Sequence, residues 1–239
     1  MSCDFSVYEV GPRDGLQALE WPISLQQKVK LISLLHEAGL HDIEVGSFVH
    51  PDVIPNMADS GPLFEIVSSI NPDFSVLVPN LKGFERARTV GARKFNIFLS
   101  PDEQFNHRNL GCNLEAALDE YRAMLVDVAR EDVRVYVSMA FACPVEKLEE
   151  CVSHIEDLGS TIVLSDTDGR ASPDSLRQGI GTVRRSEVAI HLHQGTDDAR
   201  MENNLTMAFD CGVRQFDSSI GGLGGCPFVV GSRGNLATS

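Results

Sequence analysis

Eight short apolar runs recur along the chain, and segments with helical periodicity fill most of the gaps between them. Such alternation is typical of parallel strands that are connected by right-handed helical crossovers. Eight units in 239 residues fit a (β/α)₈ TIM barrel, an α/β fold, better than an open sheet. We therefore predict one barrel domain over residues 1–239. The predicted strands are 5–10, 42–46, 75–78, 94–98, 133–138, 161–165, 188–193 and 215–218, and the predicted helices after strands two to seven are 62–70, 83–90, 114–130, 145–158, 173–183 and 198–211.

The helix after the first strand has well-marked ends. Ser24 and Gln27 have the spacing of a capping box, which favours a helix start at this point. Gly39 follows the last apolar residue of the helical pattern and is placed to end the helix.

Charge and cysteine spacing exclude several classes of protein. A net charge of −14 leaves little basic surface for binding phosphates, so we expect no nucleic-acid partner. The sequence has no run of about 18 apolar residues, which disfavours a membrane span, and its N-terminus lacks the pattern of a secretion signal. The six cysteines form no C-x-x-C pair, which disfavours a structural zinc site and a disulfide framework. We predict a cytoplasmic protein with reduced thiols.

Two histidines lie one residue apart in the seventh predicted strand, which reads VAIHLH over residues 188–193. Because side chains alternate along a strand, His191 and His193 point into the mouth of the barrel while Ile190 and Leu192 face the helices. Two inward imidazoles can bind one metal ion. The alternative is a pair of hydrogen-bonded core histidines.

Another polar group follows the first strand, in the sequence EVGPRDGLQ at residues 9–17. Its two glycines permit a tight turn, from which Arg13 and Asp14 project toward a ligand. In the alternative interpretation, these two side chains simply pair with each other on the surface. Glu44 lies on the inner side of the second strand, where a carboxylate needs a partner, and Arg13 is the partner that we predict.

Three later residues also lie near the ends of strands. Asp166 ends strand six, where it either takes part in catalysis or holds a turn. Four glycines within residues 221–225 predict a mobile loop that carries Cys226. A thiol on such a loop is a candidate acid, base or nucleophile, whereas a lone buried cysteine is usually inert. Asn235 follows nine residues later and offers an amide oxygen as a neutral metal ligand.

Six segments, in order along nearly the whole chain, resemble those of 3-hydroxy-3-methylglutaryl-CoA (HMG-CoA) lyases. The most specific segment is GGLGGCP at residues 221–227. The other segments are EVGPRDGLQ (9–17), IEVGSFV (43–49), PNLKGFE (79–85), HLH (191–193) and GNLAT (234–238).

The resemblance implies a metal-dependent carbon–carbon lyase that acts on a 3-hydroxyacyl-CoA, with HMG-CoA as the first expectation and acetyl-CoA and acetoacetate as products. It also implies a divalent cation, Mg²⁺ or Mn²⁺, held by Asp14, His191, His193 and Asn235. Arg13 would stabilise negative charge on the thioester oxygen. The catalytic residues that the resemblance implies are Arg13, Asp14, Glu44, Asp166, His191 and Cys226, and the implied substrate-binding residues are Gln17, Arg13 and Thr167.

The chain stops at Ser239, where members of the family continue into an eighth barrel helix and a C-terminal extension. We therefore expect a barrel without that helix, and a homo-oligomer, first of all a dimer, that covers the exposed groove. Two alternatives for the function stay open. One is a related aldolase or Claisen-type enzyme with another acyl specificity, and the other is a degenerate barrel that binds acyl-CoA or metal without turnover.

Overall fold

Eight parallel strands form a ring in the computed structural model, which describes residues 5–194, 198–224 and 233–238. Neighbouring strands pair in the order β1-β8-β7-β6-β5-β4-β3-β2, and a parallel bridge between Glu9 and Ile43 joins the two ends of this path. The predicted TIM barrel is confirmed. The strands are β1 Ser6–Glu9, β2 Glu44–Ser47, β3 Ser75–Leu77, β4 Lys94–Leu99, β5 Val133–Val137, β6 Thr161–Asp166, β7 Glu187–Gln194 and β8 Gln215–Ile220.

Helices connect successive strands on the outside of the ring. The capping box of Ser24 and Gln27 is present at the start of the first helix, and Gly39, with φ +96°, turns the chain after it. None of the helices in the described part of the chain is long and apolar enough to cross a membrane. The helices are α1 Leu25–Glu37, α2 Ser60–Val67, α3 Leu81–Thr89, α4 Glu103–Leu110, α5 Leu114–Met124, α6 Val145–Ile155, α7 Pro173–Ile180 and α8 Asp198–Asp210.

Two features between β4 and β5 differ from the sequence-based prediction. Helix α4 was not predicted, and α5 ends at Met124 rather than at residue 130. The predicted helix was too long because Val126, Asp127 and Val128 are poor helix formers. The chain instead reaches β5 through a short 3₁₀ turn, Arg130–Asp132.

Two short strands follow β8 in the described residues. Strand β9, Arg233–Asn235, pairs antiparallel with β7 and sets Asn235 opposite His193. Strand β10, Ala237–Thr238, pairs parallel with β8. The segment after β8 therefore returns to the carboxyl ends of the last barrel strands.

The apolar core lies mainly between the ring of strands and the helices. Ile190 and Leu192 belong to this outer core, as the alternation along β7 predicts. A small apolar cluster of Tyr136, Val163 and Ala189 lies apart from it. Alternate side chains on the strands therefore leave the barrel interior free for polar groups, and several of these are fully buried.

Candidate active site

The turn after β1 places Arg13 and Asp14 at the carboxyl end of the barrel. Residues Gly11–Gly15 form a single π-helical turn, in which the Val10 carbonyl accepts hydrogen bonds from three successive amides. Neither of its glycines has a positive φ, so backbone conformation is not the reason for them. They are required because the turn packs closely on β8: a Cβ on Gly15 would lie 3.0 Å from Ser219 Oγ.

Glu9 connects this turn to β8 and β10 through hydrogen bonds. Its buried carboxylate accepts hydrogen bonds from the Gly11 amide at 2.8 Å, from the Ile220 amide at 2.9 Å and from Thr238 Oγ1 at 2.6 Å. A buried carboxylate is stable when it has several donors. Glu9 thus acts as a structural anchor that holds the turn against β8 and β10.

Arg13 lies between two carboxylates. Its Nε donates to Glu44 Oε2, and its Nη1 donates to Asp14 Oδ1 at 2.5 Å. The predicted pair of Arg13 and Glu44 is confirmed. Arg13 and Asp14 also pair with each other, but the interpretation that places them on the surface is wrong, because both are buried. The remaining nitrogen, Nη2, has no hydrogen-bond partner among the described residues.

The two carboxyl groups differ in electrostatic environment. Burial raises the pKa of Glu44, against the lowering effect of the Arg13 guanidinium. Burial also acts to raise the pKa of Asp14, but Arg13 and the two histidines outweigh it and lower that pKa to about 2. Asp14 is therefore ionised near neutral pH and presents a charged oxygen to the site.

The two histidines of β7 come together as the sequence predicts. Their Nε2 atoms are 3.4 Å apart, and both side chains are buried. On the other side of each ring, His191 Nδ1 lies 3.1 Å from Asp217 Oδ2, and His193 Nδ1 lies 2.9 Å from the carbonyl oxygen of Asp166. Burial and the neighbouring His191 lower the pKa of His193 to about 4, so this imidazole is neutral, as a metal ligand must be.

A divalent cation fits among these groups and Asn235. One ligand atom from each of Asp14, His191 and His193 lies within 4.8 Å of the others. Asn235 Nδ2 donates to Asp14 Oδ2 at 2.8 Å, while the buried Oδ1 of the same amide has no partner. A buried carbonyl oxygen without a donor is costly unless something else binds it. A carboxylate, an amide oxygen and two imidazoles form a donor set that suits Mg²⁺, Mn²⁺ or Zn²⁺.

Asp166, Thr167 and Gln17 have structural contacts beside the site. Asp166 Oδ1 accepts hydrogen bonds from the amides of Arg170 and Ala171, each at 3.0 Å, so this carboxylate holds a turn. Burial raises the pKa of Asp166 to about 7. Thr167 Oγ1 accepts from the Met139 amide at 2.8 Å. Gln17 Nε2 donates to Asp14 Oδ1 at 2.9 Å, which leaves its carbonyl oxygen for a ligand.

A cavity of about 820 Å³ opens above these residues. A volume of this size accommodates a drug-sized ligand. Its polar end is formed by Arg13, Asp14, Gln17, Thr167, His191 and His193, and an apolar wall is formed by Trp21, Val49, Val53, Ile54, Phe98 and Phe105. The site thus has a polar end, where the candidate catalytic groups meet, and an apolar wall.

Cys226, the predicted acid, base or nucleophile, lies outside the described residues. The described part of its loop reaches the site at Gly224, whose φ is +117°. A Cβ on Gly224 would lie against Asn235 Nδ2 and 3.0 Å from Asp14 Oδ2. Only glycine can therefore bring this backbone so close to the candidate metal ligands.

Sequence analysis missed several polar residues inside the barrel. Asp217 contacts His191, Tyr136 and Arg134, and Asn96 donates to Glu44 Oε1 at 2.7 Å. All of them lie on strands, at positions where a core strand normally carries apolar residues. Polar residues at inward-facing positions of barrel strands were the signal that could have found them.

Comparison with known proteins adds sequence and structural relatives. A family model described as HMGL-like matches residues 4–239. The chain is 38% identical over 246 residues to the mitochondrial hydroxymethylglutaryl-CoA lyase of Macaca fascicularis, covering 97% of this chain and 75% of that protein.

Solved structures of similar fold include HMG-CoA lyases. The HMG-CoA lyase of Bacillus subtilis superposes with a TM-score of 0.89 at 30% identity, covering 98% of this chain and 83% of that one. An HMG-CoA lyase of Acinetobacter baumannii, solved in complex with coenzyme A and 3-methylmalate, superposes with a TM-score of 0.88 at 29% identity, covering 99% and 82% of the two chains.

Proposed function

The chain belongs to the HMGL-like family, and from this premise we propose that it is a lyase that cleaves a carbon–carbon bond of a 3-hydroxyacyl-CoA. The first substrate that we propose is HMG-CoA, which would yield acetyl-CoA and acetoacetate. One observation carries the proposal: Arg13, Asp14, His191 and His193 meet at the polar end of one cavity, and Asn235 donates to Asp14 beside them. Similarity to HMG-CoA lyases over 97% of the chain supports it.

The reaction breaks one carbon–carbon bond, removes a proton from oxygen and adds a proton to carbon. The bond between C2 and C3 breaks, and its electrons form the enolate of acetyl-CoA. The C3 hydroxyl group loses its proton and becomes the ketone of acetoacetate, and C2 then takes up a proton. The protein must therefore hold the hydroxyl group, stabilise the enolate oxygen and handle two protons.

We propose Asp14, His191, His193 and Asn235 as the residues that hold a divalent cation, Mg²⁺ or Mn²⁺. When bound, such a cation polarises the C3 hydroxyl group and lowers its pKa. The unpartnered Oδ1 of Asn235 and the ionised Asp14 support this assignment. The turn after β1 and the pairing of β9 with β7 hold these ligands in place.

Arg13 is the group that we place at the thioester oxygen. Two of its nitrogens are fixed by Glu44 and Asp14, and Nη2 remains for the substrate. Because the enolate carries more negative charge on this oxygen than the thioester does, a fixed guanidinium favours the transition state over the substrate. Glu44 orients Arg13, and Asn96 in turn holds Glu44.

Proton transfer is assigned to groups at the same end of the cavity. The hydroxyl proton passes to Asp14, which lines this end. His191 contributes as a cation ligand, because its two ring nitrogens face the cation site and Asp217. Cys226 is the proposed partner for the enolate, since a thiol exchanges protons near neutral pH more readily than a hydroxyl. The backbone carbonyl oxygen of Asp166 orients His193 near the substrate. Gln17 and Thr167 bind the substrate beside Arg13.

An acyl-CoA also suits the rest of the cavity. The apolar wall matches the uncharged pantetheine arm, and Arg108 lines the same cavity with no hydrogen bond or ion pair to a described residue. The Acinetobacter baumannii relative was solved with coenzyme A and 3-methylmalate, which supports a thioester ligand of this kind. A single catalytic domain over residues 1–239, a homo-oligomeric assembly and a cytoplasmic location stay predictions.

A panel of 3-hydroxyacyl-CoA thioesters tests the proposal. We expect acetyl-CoA release with Mg²⁺ or Mn²⁺ and fastest turnover with HMG-CoA. Arg13→Gln serves as the impaired variant, and Arg122→Gln, on the exposed side of α5, serves as the matched control. Faster cleavage of another acyl group would favour the related-enzyme alternative. Binding of every thioester without cleavage would contradict lyase activity and favour the degenerate barrel.

A further inference from the structure

We infer that Asp217 is a positioning residue that holds the imidazole of His191 in the orientation required for cation binding. The inference rests on the proposed cation site and concerns a residue on β8 that does not touch the cavity. Asp217 Oδ2 lies 3.1 Å from His191 Nδ1, and the opposite nitrogen, Nε2, faces His193. Histidine ligands of metal ions usually donate their other ring nitrogen to a carboxylate or a carbonyl oxygen, which fixes the tautomer.

The surroundings of Asp217 require a carboxylate at this position. Its Oδ1 accepts a hydrogen bond from Arg134 Nη2 at 2.7 Å, and its Oδ2 accepts one from the Tyr136 hydroxyl at 2.8 Å as well as the contact with His191. Asp217 is 1% exposed, so water cannot replace any of these partners. Three donors converge on two oxygens, and only an ionised carboxylate, which accepts and never donates, satisfies all three.

The two histidines differ in what lies behind them. His193 contacts a neutral backbone carbonyl, whereas His191 contacts a buried carboxylate. A simple buried ion pair of Arg134 and Asp217 would be complete with Oδ1 alone and would not explain Oδ2 at the imidazole. The charged partner increases the electron density that His191 offers through Nε2. His191 is therefore the ligand whose strength depends on a second residue.

A network of buried side chains supports Asp217 from behind. The Arg134 guanidinium lies 3.8 Å above the ring of Tyr8, and the Tyr8 hydroxyl accepts from Asn96 Nδ2 at 2.9 Å. Asn96 also donates to Glu44 at 2.7 Å, the residue that holds Arg13. The barrel interior thus joins the supports of His191 and of Arg13 into one polar network.

Asp217→Asn tests the assignment, because the amide has almost the same shape but only one acceptor oxygen. The readout is the dissociation constant for Mn²⁺, measured on the purified protein by electron paramagnetic resonance of the free ion. Loss of a supporting partner weakens metal binding about 10- to 100-fold, and we expect an increase of this size. The matched control is Glu156→Gln. Glu156 is also a buried carboxylate, 6% exposed, but it accepts from the amides of Arg184 and Arg185, outside the barrel interior.

The control variant is expected to lose thermal stability and to keep the Mn²⁺ affinity of the unmodified protein. An Asp217→Asn variant that folds and binds Mn²⁺ within twofold of that affinity would overturn the inference. Should this variant fail to fold, ¹⁵N NMR of labelled histidines in the Mg²⁺-loaded unmodified protein decides instead. We expect the His191 proton on Nδ1, and a proton on Nε2 would refute the assignment. Mn²⁺ binding without any turnover would count against the proposed function only.

Discussion

Replacement of Arg13 by glutamine removes the group that we place at the thioester oxygen. In the structure, Nε and Nη1 of Arg13 are engaged with Glu44 and Asp14, which leaves one nitrogen, Nη2, to meet the substrate. Removing a single preorganised donor to a developing oxyanion costs about 2.7 to 4 kcal/mol, which corresponds to a decrease of about 100- to 1,000-fold in kcat. We therefore expect Arg13→Gln to lower kcat by a factor within this range.

Steady-state kinetics with HMG-CoA at saturating Mg²⁺ separate the two contributions of Arg13. An interaction made mainly in the transition state lowers kcat and kcat/KM together, whereas uniform substrate binding raises KM alone. Saturating metal is required because loss of Arg13 also removes a partner of Asp14, a proposed cation ligand. The Arg122→Gln variant, assayed in parallel, shows whether loss of any arginine affects turnover.

A pure increase in KM would refute the proposed role and reduce Arg13 to a substrate anchor. A decrease of less than tenfold in kcat, with the variant folded and saturated with metal, would also refute it. Thermal unfolding at the assay pH checks the fold, because Glu44 loses its ion-pair partner in the variant.

Three further predictions concern the glycine-rich loop and the assembly. Gly224→Ala should lower stability by about 1 to 3 kcal/mol, because φ at this position is +117°, and should weaken Mn²⁺ binding about tenfold, since the new Cβ contacts Asn235. Cys226→Ser should bind Mn²⁺ normally yet lose most turnover, because a hydroxyl exchanges protons poorly near neutral pH. Light scattering should give the mass of a homo-oligomer, first of all a dimer, because Phe5 and Leu34 are each 52% exposed and apolar side chains favour burial between copies.

Each of these predictions has a result that contradicts it. Gly212→Ala is the control for Gly224→Ala, because Gly212 has φ +91° and open space around its Cβ position. Equal Mn²⁺ affinity in these two variants would show that the loop does not position Asn235. Full turnover by Cys226→Ser would show that the thiol has no role in catalysis. A monomer at micromolar and higher concentrations would exclude the dimer.

The sequence predicted the barrel because eight apolar runs alternate with helical segments, and it predicted the histidine pair because side chains alternate along a strand. On β7, Ile190 and Leu192 must face the helices, so His191 and His193 must face the interior. The pairing of Glu44 with Arg13 was predictable for a related reason. An inward carboxylate on β2 needs a cation, and Arg13 follows the neighbouring strand.

Helix α4 escaped prediction because its sequence, EQFNHRNL, is short and mostly polar. Only Phe105 and Asn106 in it are buried, which is too few for a recognisable apolar stripe. Its first turn is stabilised by Asp102, which accepts from the Gln104 amide at 2.9 Å. Asp102 could be recognised in the sequence as a candidate N-cap, but without an apolar pattern after it the sequence did not predict a helix start.

The residues that hold the site residues in place could not be predicted from the sequence, because their contacts join strands that are distant along the chain. Asp217 is 26 positions from His191 and 83 positions from Arg134. The register of β7 and β8 sets Asp217 opposite His191, and closure of the barrel brings Arg134 on β5 to the same carboxylate. Asn235 was assigned through resemblance. Its placement depends on the antiparallel pairing of β9 with β7, which a three-residue strand does not reveal in a sequence.

The most direct test of the account is the conversion of HMG-CoA by the metal-stripped protein before and after Mg²⁺ is added back. Chromatography of the products should show no cleavage after chelation, and equal amounts of acetyl-CoA and acetoacetate once the cation is restored. Equal product formation with and without the cation would contradict the proposed role of Asp14, His191, His193 and Asn235. No products under either condition, with the thioester still bound, would contradict lyase activity itself.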